Sequence, residues 1–217
     1  MAKKPTQTEH RIGLPNVSWQ KLEAILQDLG LNRTARFAYD RGQLEMMTPL
    51  EDHDRCNRLI ESLILVLAEE VELTVKNSGS VLLKRADLGR AIQPDAGYYF
   101  ADRAQVRPST ELDMTQDAPP DLAVEVSMTK SALNVFSLYA DMGVPEVWQY
   151  VTVLGDDMLK GKLGIYQLQE NRYVATAHSL IFPFWPAQRV LEFLEQSDKI
   201  GLAQALIVLR SWLKQTL

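Results

Sequence analysis

The sequence is nearly devoid of cysteine: Cys56 is the only one among 217 residues. An intrachain disulfide and a cysteine-based zinc ribbon are therefore excluded. Cys56 lies on the apolar stripe of a predicted helix, which indicates packing rather than nucleophilic chemistry. Chains without disulfides are typical of reducing compartments, and we predict a cytoplasmic protein.

An excess of positive charge is also lacking. The chain has 23 Lys and Arg residues against 28 Asp and Glu residues, a formal net charge of −5. A broad basic field for nucleic acid is thereby excluded, and contact with DNA would need a metal ion or a local basic patch. We expect such a patch at Lys84, Arg85 and Arg90.

Long hydrophobic runs and common cofactor motifs are missing as well. The strongest apolar run, LILVLA (63–68), is too short to span a bilayer, and no apolar segment follows the basic N-terminus as a secretory signal requires. The patterns GxxxxGK[ST], GxGxxG and HExxH do not occur. We therefore predict no membrane partner and no small-molecule organic cofactor.

What is present indicates an ordinary globular chain, with 46% hydrophobic and 24% charged residues. We predict a flexible N-terminal tail over residues 1–14 and one domain over 15–217. The domain opens with a helix that Ser18 caps, followed by a hairpin that turns at 40–42 and a long helix over about 51–71.

The remainder alternates strands with helices. Short strands precede a proline-bearing loop, and the segment PPDLAVEVSMTKSALNVFSLYADMGVPEVWQY (119–150) predicts a strand at 121–127, a helix at 130–142 and a second strand. A hairpin turning at 170–171 and two C-terminal helices follow. This order predicts an α/β fold, a mixed sheet flanked by helices. The last helix is apolar on more than one side, which indicates burial against the body or a partner subunit.

Two carboxylates on short strands form the candidate site. Asp95 opens one strand, and Glu125 stands mid-strand on another whose opposite face is apolar. If the strands are neighbours, the carboxylates could face each other and hold a Mg²⁺ ion, which takes few protein carboxylates. The alternative is structural: Asp95 caps a turn, and Glu125 pairs with Arg85 or Arg90.

Several segments together resemble one nuclease family. The order of PDAGYYF, PPDLAVEV, LYADMGVPEVWQY and IYQLQ, with HDRCNRLIESL and GSVLLKRADLGRAIQPD before them, is similar to the Uma-two family of the PD-(D/E)xK superfamily. The resemblance covers roughly residues 15–190. It implies a restriction-endonuclease-like fold and a Mg²⁺-dependent or Mn²⁺-dependent endonuclease.

The resemblance also implies roles for particular residues. Asp95 and Glu125 become metal-binding and catalytic carboxylates. A lysine should accompany them, but the superfamily's position holds Ser127 and the position expected in this branch holds Val135. A helix acid is likewise replaced by Ser131. Lys130 is our candidate for the missing catalytic cation.

Further candidates are weaker. Lys84 is a second candidate for the missing lysine. His53 falls where the family's first helix often has a histidine, and a surface or capping role competes with a catalytic one. Tyr98, Tyr99 and Phe100 could stack on bases, although core packing is the better interpretation for at least one face.

Two functional hypotheses follow. The first is a metal-dependent DNA endonuclease, acting as a homodimer that brings two sites together for cutting both strands. The second is a catalytically inactive homologue that serves as a DNA-binding or protein-interaction module, a hypothesis that the missing lysine favours. Fold alone does not separate them.

Overall fold

A computed structural model describes residues 9–30, 33–105, 109–152 and 161–216. The elements, in chain order, are β1 (His10–Leu14), α1 (Trp19–Leu29), β2 (Arg36–Asp40), β3 (Gln43–Thr48), α2 (Glu51–Glu70), β4 (Val75–Gly79), β5 (Leu82–Arg85), β6 (Arg90–Ile92), β7 (Ala96–Phe100), β8 (Glu111–Asp113), β9 (Leu122–Ser127), α3 (Val135–Met142), β10 (Glu146–Thr152), β11 (Gly161–Gln169), β12 (Arg172–Thr176), α4 (Ala187–Ile200) and α5 (Leu202–Thr216). Two short 3₁₀ turns follow β5 and β7.

The strands form two six-stranded mixed sheets rather than the single mixed sheet that the sequence predicted. The first sheet has the order β1-β3-β2-β6-β5-β8, and the second has the order β12-β11-β10-β9-β7-β4. Each contains one parallel pair, β5 with β8 in the first and β9 with β10 in the second. The predicted α/β class with flanking helices is confirmed. The division into two sheets was missed because strand pairing depends on contacts distant in sequence.

The main core lies between the second sheet and the helices α2, α4 and α5. Helix α2 buries Cys56, Ile60, Leu63 and Leu67 against strands β7, β9 and β10. The packing role predicted for Cys56 is therefore confirmed, and burial raises the pKa of its thiol to about 11, against its activation. Helix α5 buries Ala205, Leu209 and Leu213 in the same core.

Several boundaries follow the sequence signals. Ser18 Oγ accepts the Lys21 amide at 3.3 Å and caps α1 as predicted. Helix α3 begins at Val135, five residues later than predicted, with Asn134 as its cap. The delay has a physical cause: the side chain of Ser131 and the amide of Ala132 are hydrogen-bonded to Glu45 instead of entering a helix.

The N-terminal segment differs most from its prediction. Residues 10–14, which we expected within a flexible tail, form β1 and pair with β3 over its whole length, from His10 opposite Thr48 to Leu14 opposite Leu44. The strand is at the sheet edge and most of its residues are exposed, so it lacks the alternating apolar pattern of a buried strand. Residues 1–8 lie outside the described residues.

Candidate active site

The two predicted carboxylates meet where β7 and β9 run side by side. The strands are antiparallel, with Ala96 opposite Val124 and Gly97 opposite Ala123. The Asp95 amide donates to the Val124 carbonyl at 3.0 Å, which extends the same ladder by one step and sets Asp95 opposite Glu125. Both side chains are buried and line one small cavity.

The two carboxylate oxygens of Asp95 differ, because one accepts a hydrogen bond and the other has only ion-pair contacts. Its Oδ2 accepts the Val126 amide at 2.7 Å. Its Oδ1 lies 3.4 Å from His53 Nε2 and 3.5 Å from Arg36 Nε. These are ion-pair contacts, and Oδ1 accepts no hydrogen bond within the described part of the chain although it is buried. Asp95 thus holds the neighbouring strand rather than capping a turn.

Glu125 is held by a tyrosine of the following helix. Tyr139 Oη donates to Glu125 Oε2 at 2.6 Å. Burial and the nearby charge of Asp95 raise the pKa of Glu125 to about 8, against the opposing effects of the Tyr139 hydrogen bond and the charges of Arg11 and His53. Burial is also the main cause that raises the pKa of Tyr139.

The predicted pairing of Glu125 with Arg85 or Arg90 is wrong. Arg85 binds Asp87 through two nitrogens, and Arg90 binds Asp40 and Asp141. The predicted basic patch is likewise wrong, because Lys84 is held by two carboxylates as well. The three residues lie near one another in the sequence, but the sequence does not indicate that an acidic residue pairs with each of them.

The cavity beside the carboxylates has a volume of about 20 Å³, room for about one water molecule or a small ion. Its polar lining includes Asp95, Glu125, Arg36 and Gln93, and Val135 forms an apolar part of its wall. In the described ranges, no group of three or more His, Cys, Asp and Glu residues is arranged to hold a metal. A metal here would rest on two protein carboxylates.

A buried ion network braces the connection between β9 and α3. Arg11 bonds Glu45 at 2.7 Å and Glu9 at 2.9 Å, and Glu9 also accepts the Thr129 amide at 2.8 Å. Glu45 accepts Ser131 Oγ and the Ala132 amide, each at 2.8 Å. Sequence analysis missed Glu9 and Arg11 because they lie in the segment assigned to a tail.

His53 lies beneath the carboxylates and not at the surface. Its ring is fully buried on α2, and Nε2 lies 3.0 Å from the Val126 carbonyl. Burial alone lowers the pKa of His53, but the contact with Asp95 and its negative charge, together with the charge of Glu9, raise it overall. The predicted surface role is therefore wrong.

Comparison with known proteins now identifies the family. The model of the Uma2 family, described as "Putative restriction endonuclease", matches residues 19–194. The chain belongs to the Uma2 family. The crystal structure of "a putative nuclease belonging to DUF820" from Anabaena variabilis ATCC 29413 is 13% identical, covers 73% of this chain and 90% of its own, and gives a TM-score of 0.47. No curated protein matches the sequence.

The positions where a Uma2-like lysine was expected are now located. Val135, the first residue of α3, lines both the carboxylate cavity and a wider surface groove of about 940 Å³, whereas Ser127 lines only the groove. Lys130 is exposed in the turn before α3 and lines that groove, so its catalytic role stays a prediction. Lys84 lies 2.7 Å from Glu111 and 3.1 Å from Glu23, outside the cavity.

The aromatic strand is part of the core. Tyr98, Tyr99 and Phe100 are all buried, so the base-stacking interpretation is wrong and core packing is confirmed. None of the helices in the ranges described is long and apolar enough to cross a membrane.

Proposed function

We propose that this chain is a divalent-metal-dependent DNA endonuclease, in which Asp95 and Glu125 hold Mg²⁺ or Mn²⁺ during phosphodiester hydrolysis. The observation that carries the proposal is the burial of two carboxylates opposite each other across β7 and β9, around a cavity of ionic size. Two such carboxylates repel each other when both are ionised, and a cation between them offsets this repulsion.

The donor chemistry fits a divalent ion. Mg²⁺ prefers oxygen ligands and often takes only one or two protein carboxylates, with water and substrate phosphate as the rest. Asp95 Oδ1 is a buried oxygen with no hydrogen bond among the described residues, so it is available as a ligand. When bound, such an ion would activate water and stabilise the charge of a phosphodiester transition state.

The surrounding residues would orient the ligands. The Val126 amide fixes Asp95, and the Tyr139 hydroxyl fixes Glu125. His53 lies beneath Asp95 and contacts both its carboxylate and the Val126 carbonyl. Each ligand is therefore set by a partner on regular secondary structure, which is the arrangement that a preorganised site needs.

A second candidate function is a catalytically inactive homologue that binds DNA or protein. The observation that favours it is the apolar Val135 in the cavity wall, at the position expected to hold a lysine. A Val135→Lys variant separates the two hypotheses. If the chain is an inactive homologue, only the variant cuts DNA; if the chain is an active enzyme, the wild-type protein already cuts DNA.

The proposed enzyme acts as a cytoplasmic homodimer. Ile200, Leu202, Ile207 and Val208 expose apolar side chains on α4 and α5, a surface that a second copy could cover. Light scattering on wild type and on Ile207→Glu tests the dimer. We expect the variant to be monomeric, and a wild-type monomer would contradict this part of the proposal.

The activity is tested by nicking of supercoiled plasmid with Mg²⁺ or Mn²⁺. We expect cutting by wild type, and loss of at least a hundredfold in Asp95→Asn and Glu125→Gln, on the order of the effect of removing a catalytic group. The matched control is Asp198→Asn, an exposed carboxylate that pairs with Arg55 away from the site. Equal cutting by all four proteins would contradict the assignment.

A further inference from the structure

One cation at the site has a donor nitrogen without a hydrogen bond. Arg36 opens β2, and its Nε is buried without a hydrogen bond to any residue that the structure describes. Asp95 Oδ1 lies 3.5 Å away, an ion-pair distance too long for a good hydrogen bond. Its Nη1 makes one long contact, 3.4 Å to the Thr34 carbonyl. The side chain as a whole is 19% exposed, so part of it faces solvent.

The other cation in the cavity wall is already neutralised. Arg11 donates from Nε and Nη2 to Glu9, from Nη1 to Glu45 and from Nε to Thr129, so all three of its nitrogens have partners. Two carboxylates offset its single charge. Arg11 is thus committed to bracing the β9–α3 connection, with a partner at each nitrogen and its charge offset.

The two lysines proposed from the sequence are no better placed. Lys84 is shared between Glu23 and Glu111. Lys130 lines the wider surface groove and not the carboxylate cavity. Among the described residues, Arg36 therefore combines three properties that the other cations lack together: a place in the cavity wall, a buried donor without a hydrogen bond, and a side chain that is partly exposed.

We infer that Arg36 is a catalytic residue that contacts the DNA phosphate beside Asp95 and Glu125 and supplies the positive charge that no described lysine brings to the cavity wall. The inference rests on the proposed function. A guanidinium offers planar, paired donors that match phosphate oxygens, and it stays protonated throughout the working pH range. Arg36 therefore contributes charge and hydrogen bonds and exchanges no proton with the substrate.

The test uses binding rather than cutting. The affinity of a mixed-sequence DNA duplex is measured in Ca²⁺ for wild type, Arg36→Ala, Arg36→Lys and Lys130→Ala. We expect Arg36→Ala to lose on the order of tenfold or more in affinity, as for a lost charge-assisted hydrogen bond. The slope of log affinity against log salt should fall by about 1 in Arg36→Ala and stay unchanged in Arg36→Lys.

A control arginine and a metal measurement separate a ligand contact from a structural role. Arg210→Ala removes one charge that pairs with Glu69 and Glu70 far from β2, and it should bind DNA as the wild type does. Arg36→Ala should bind Mn²⁺ as tightly as wild type or more tightly, because a neighbouring positive charge has been removed. A joint loss of Mn²⁺ affinity and thermal stability would instead make Arg36 only a structural partner of Asp95.

Other outcomes overturn the inference in distinguishable ways. If Arg36→Ala keeps the DNA affinity and salt slope of the wild type while Lys130→Ala loses DNA affinity, the positive charge at the site belongs to Lys130. Unchanged Mn²⁺ affinity in a double variant, Asp95→Asn with Glu125→Gln, would overturn the proposed metal site itself. Absence of duplex binding by wild type would overturn both proposals together.

Discussion

The substitution Glu125→Gln should remove a pH dependence of stability that the wild type carries when no metal is present. Burial and the charge of Asp95 raise the pKa of Glu125 to about 8 in the folded state, against an ordinary value of 4.5. The folded protein therefore holds a proton that the unfolded chain has lost. This contribution to stability is complete below pH 4.5 and is lost as the pH rises through 8.

The size of the stability loss follows from the difference between the folded and unfolded pKa values of Glu125. Each unit of pKa difference is worth about 1.4 kcal/mol, so the wild type should lose on the order of 4 kcal/mol of unfolding free energy between pH 5 and pH 8 through this group. Glutamine has the shape of the protonated acid and does not titrate. The variant should therefore become more stable relative to wild type as the pH rises from 5 to about 8, and the difference should level off toward pH 9.

The assay is urea unfolding in the presence of a chelator at pH 5, 6, 7, 8 and 9, with the difference between variant and wild type as the readout. Glu111→Gln is the control. Burial raises the pKa of Glu111, but the Lys84 and Arg33 hydrogen bonds lower it overall, so its contribution changes only in acid. Its difference curve should be flat from pH 5 to pH 9. A flat curve for Glu125→Gln as well would show that folding does not change the protonation of Glu125 between pH 5 and pH 9, and would refute the reasoning.

Three further substitutions follow from the same geometry. Glu45→Ala should cost about 3 kcal/mol of unfolding free energy, because it leaves the largely buried Arg11 without one partner, and urea unfolding would contradict this if the midpoint were unchanged. Val135→Lys should place an ammonium in the carboxylate cavity and lower the pKa of Glu125. The pH at which the protein loses stability should then shift to a lower value, and an unchanged pH would mean that the new side chain lies outside the cavity. Tyr139→Phe should raise the pKa of Glu125 further, because it removes the 2.6 Å hydrogen bond that lowers it, and the same titration checks the direction.

The sequence was informative about the site where the pattern was local. Alternation along β9 set Glu125 apart from an apolar face, and the Pro94-Asp95 pair supplied its partner on an adjacent strand, as the register of β7 and β9 confirms. Helix caps and turns were also readable, because Ser18 and residues 170–171 act on their immediate neighbours. These features depend on side chains within a few residues of one another.

The rest of the site depends on contacts that no local pattern contains. Arg11 and Arg36 reach the cavity because β1 and β2 join β3 in the first sheet, and that sheet lies beside the Asp95 end of β7. The stretch HRIGL lacks an apolar alternation, since β1 is an exposed edge strand. His53 appeared as a surface residue for a related reason: its burial is created by packing against Val126, which is distant in sequence.

The most direct test of the central claim is Mn²⁺ binding followed by electron paramagnetic resonance. The account predicts one bound Mn²⁺ per chain in wild type and in the control Asp198→Asn, and a loss of at least tenfold in affinity in Asp95→Asn and in Glu125→Gln, on the order of the loss of one charged ligand. Wild-type Mn²⁺ binding in both site variants, or no bound Mn²⁺ in any protein, would contradict it.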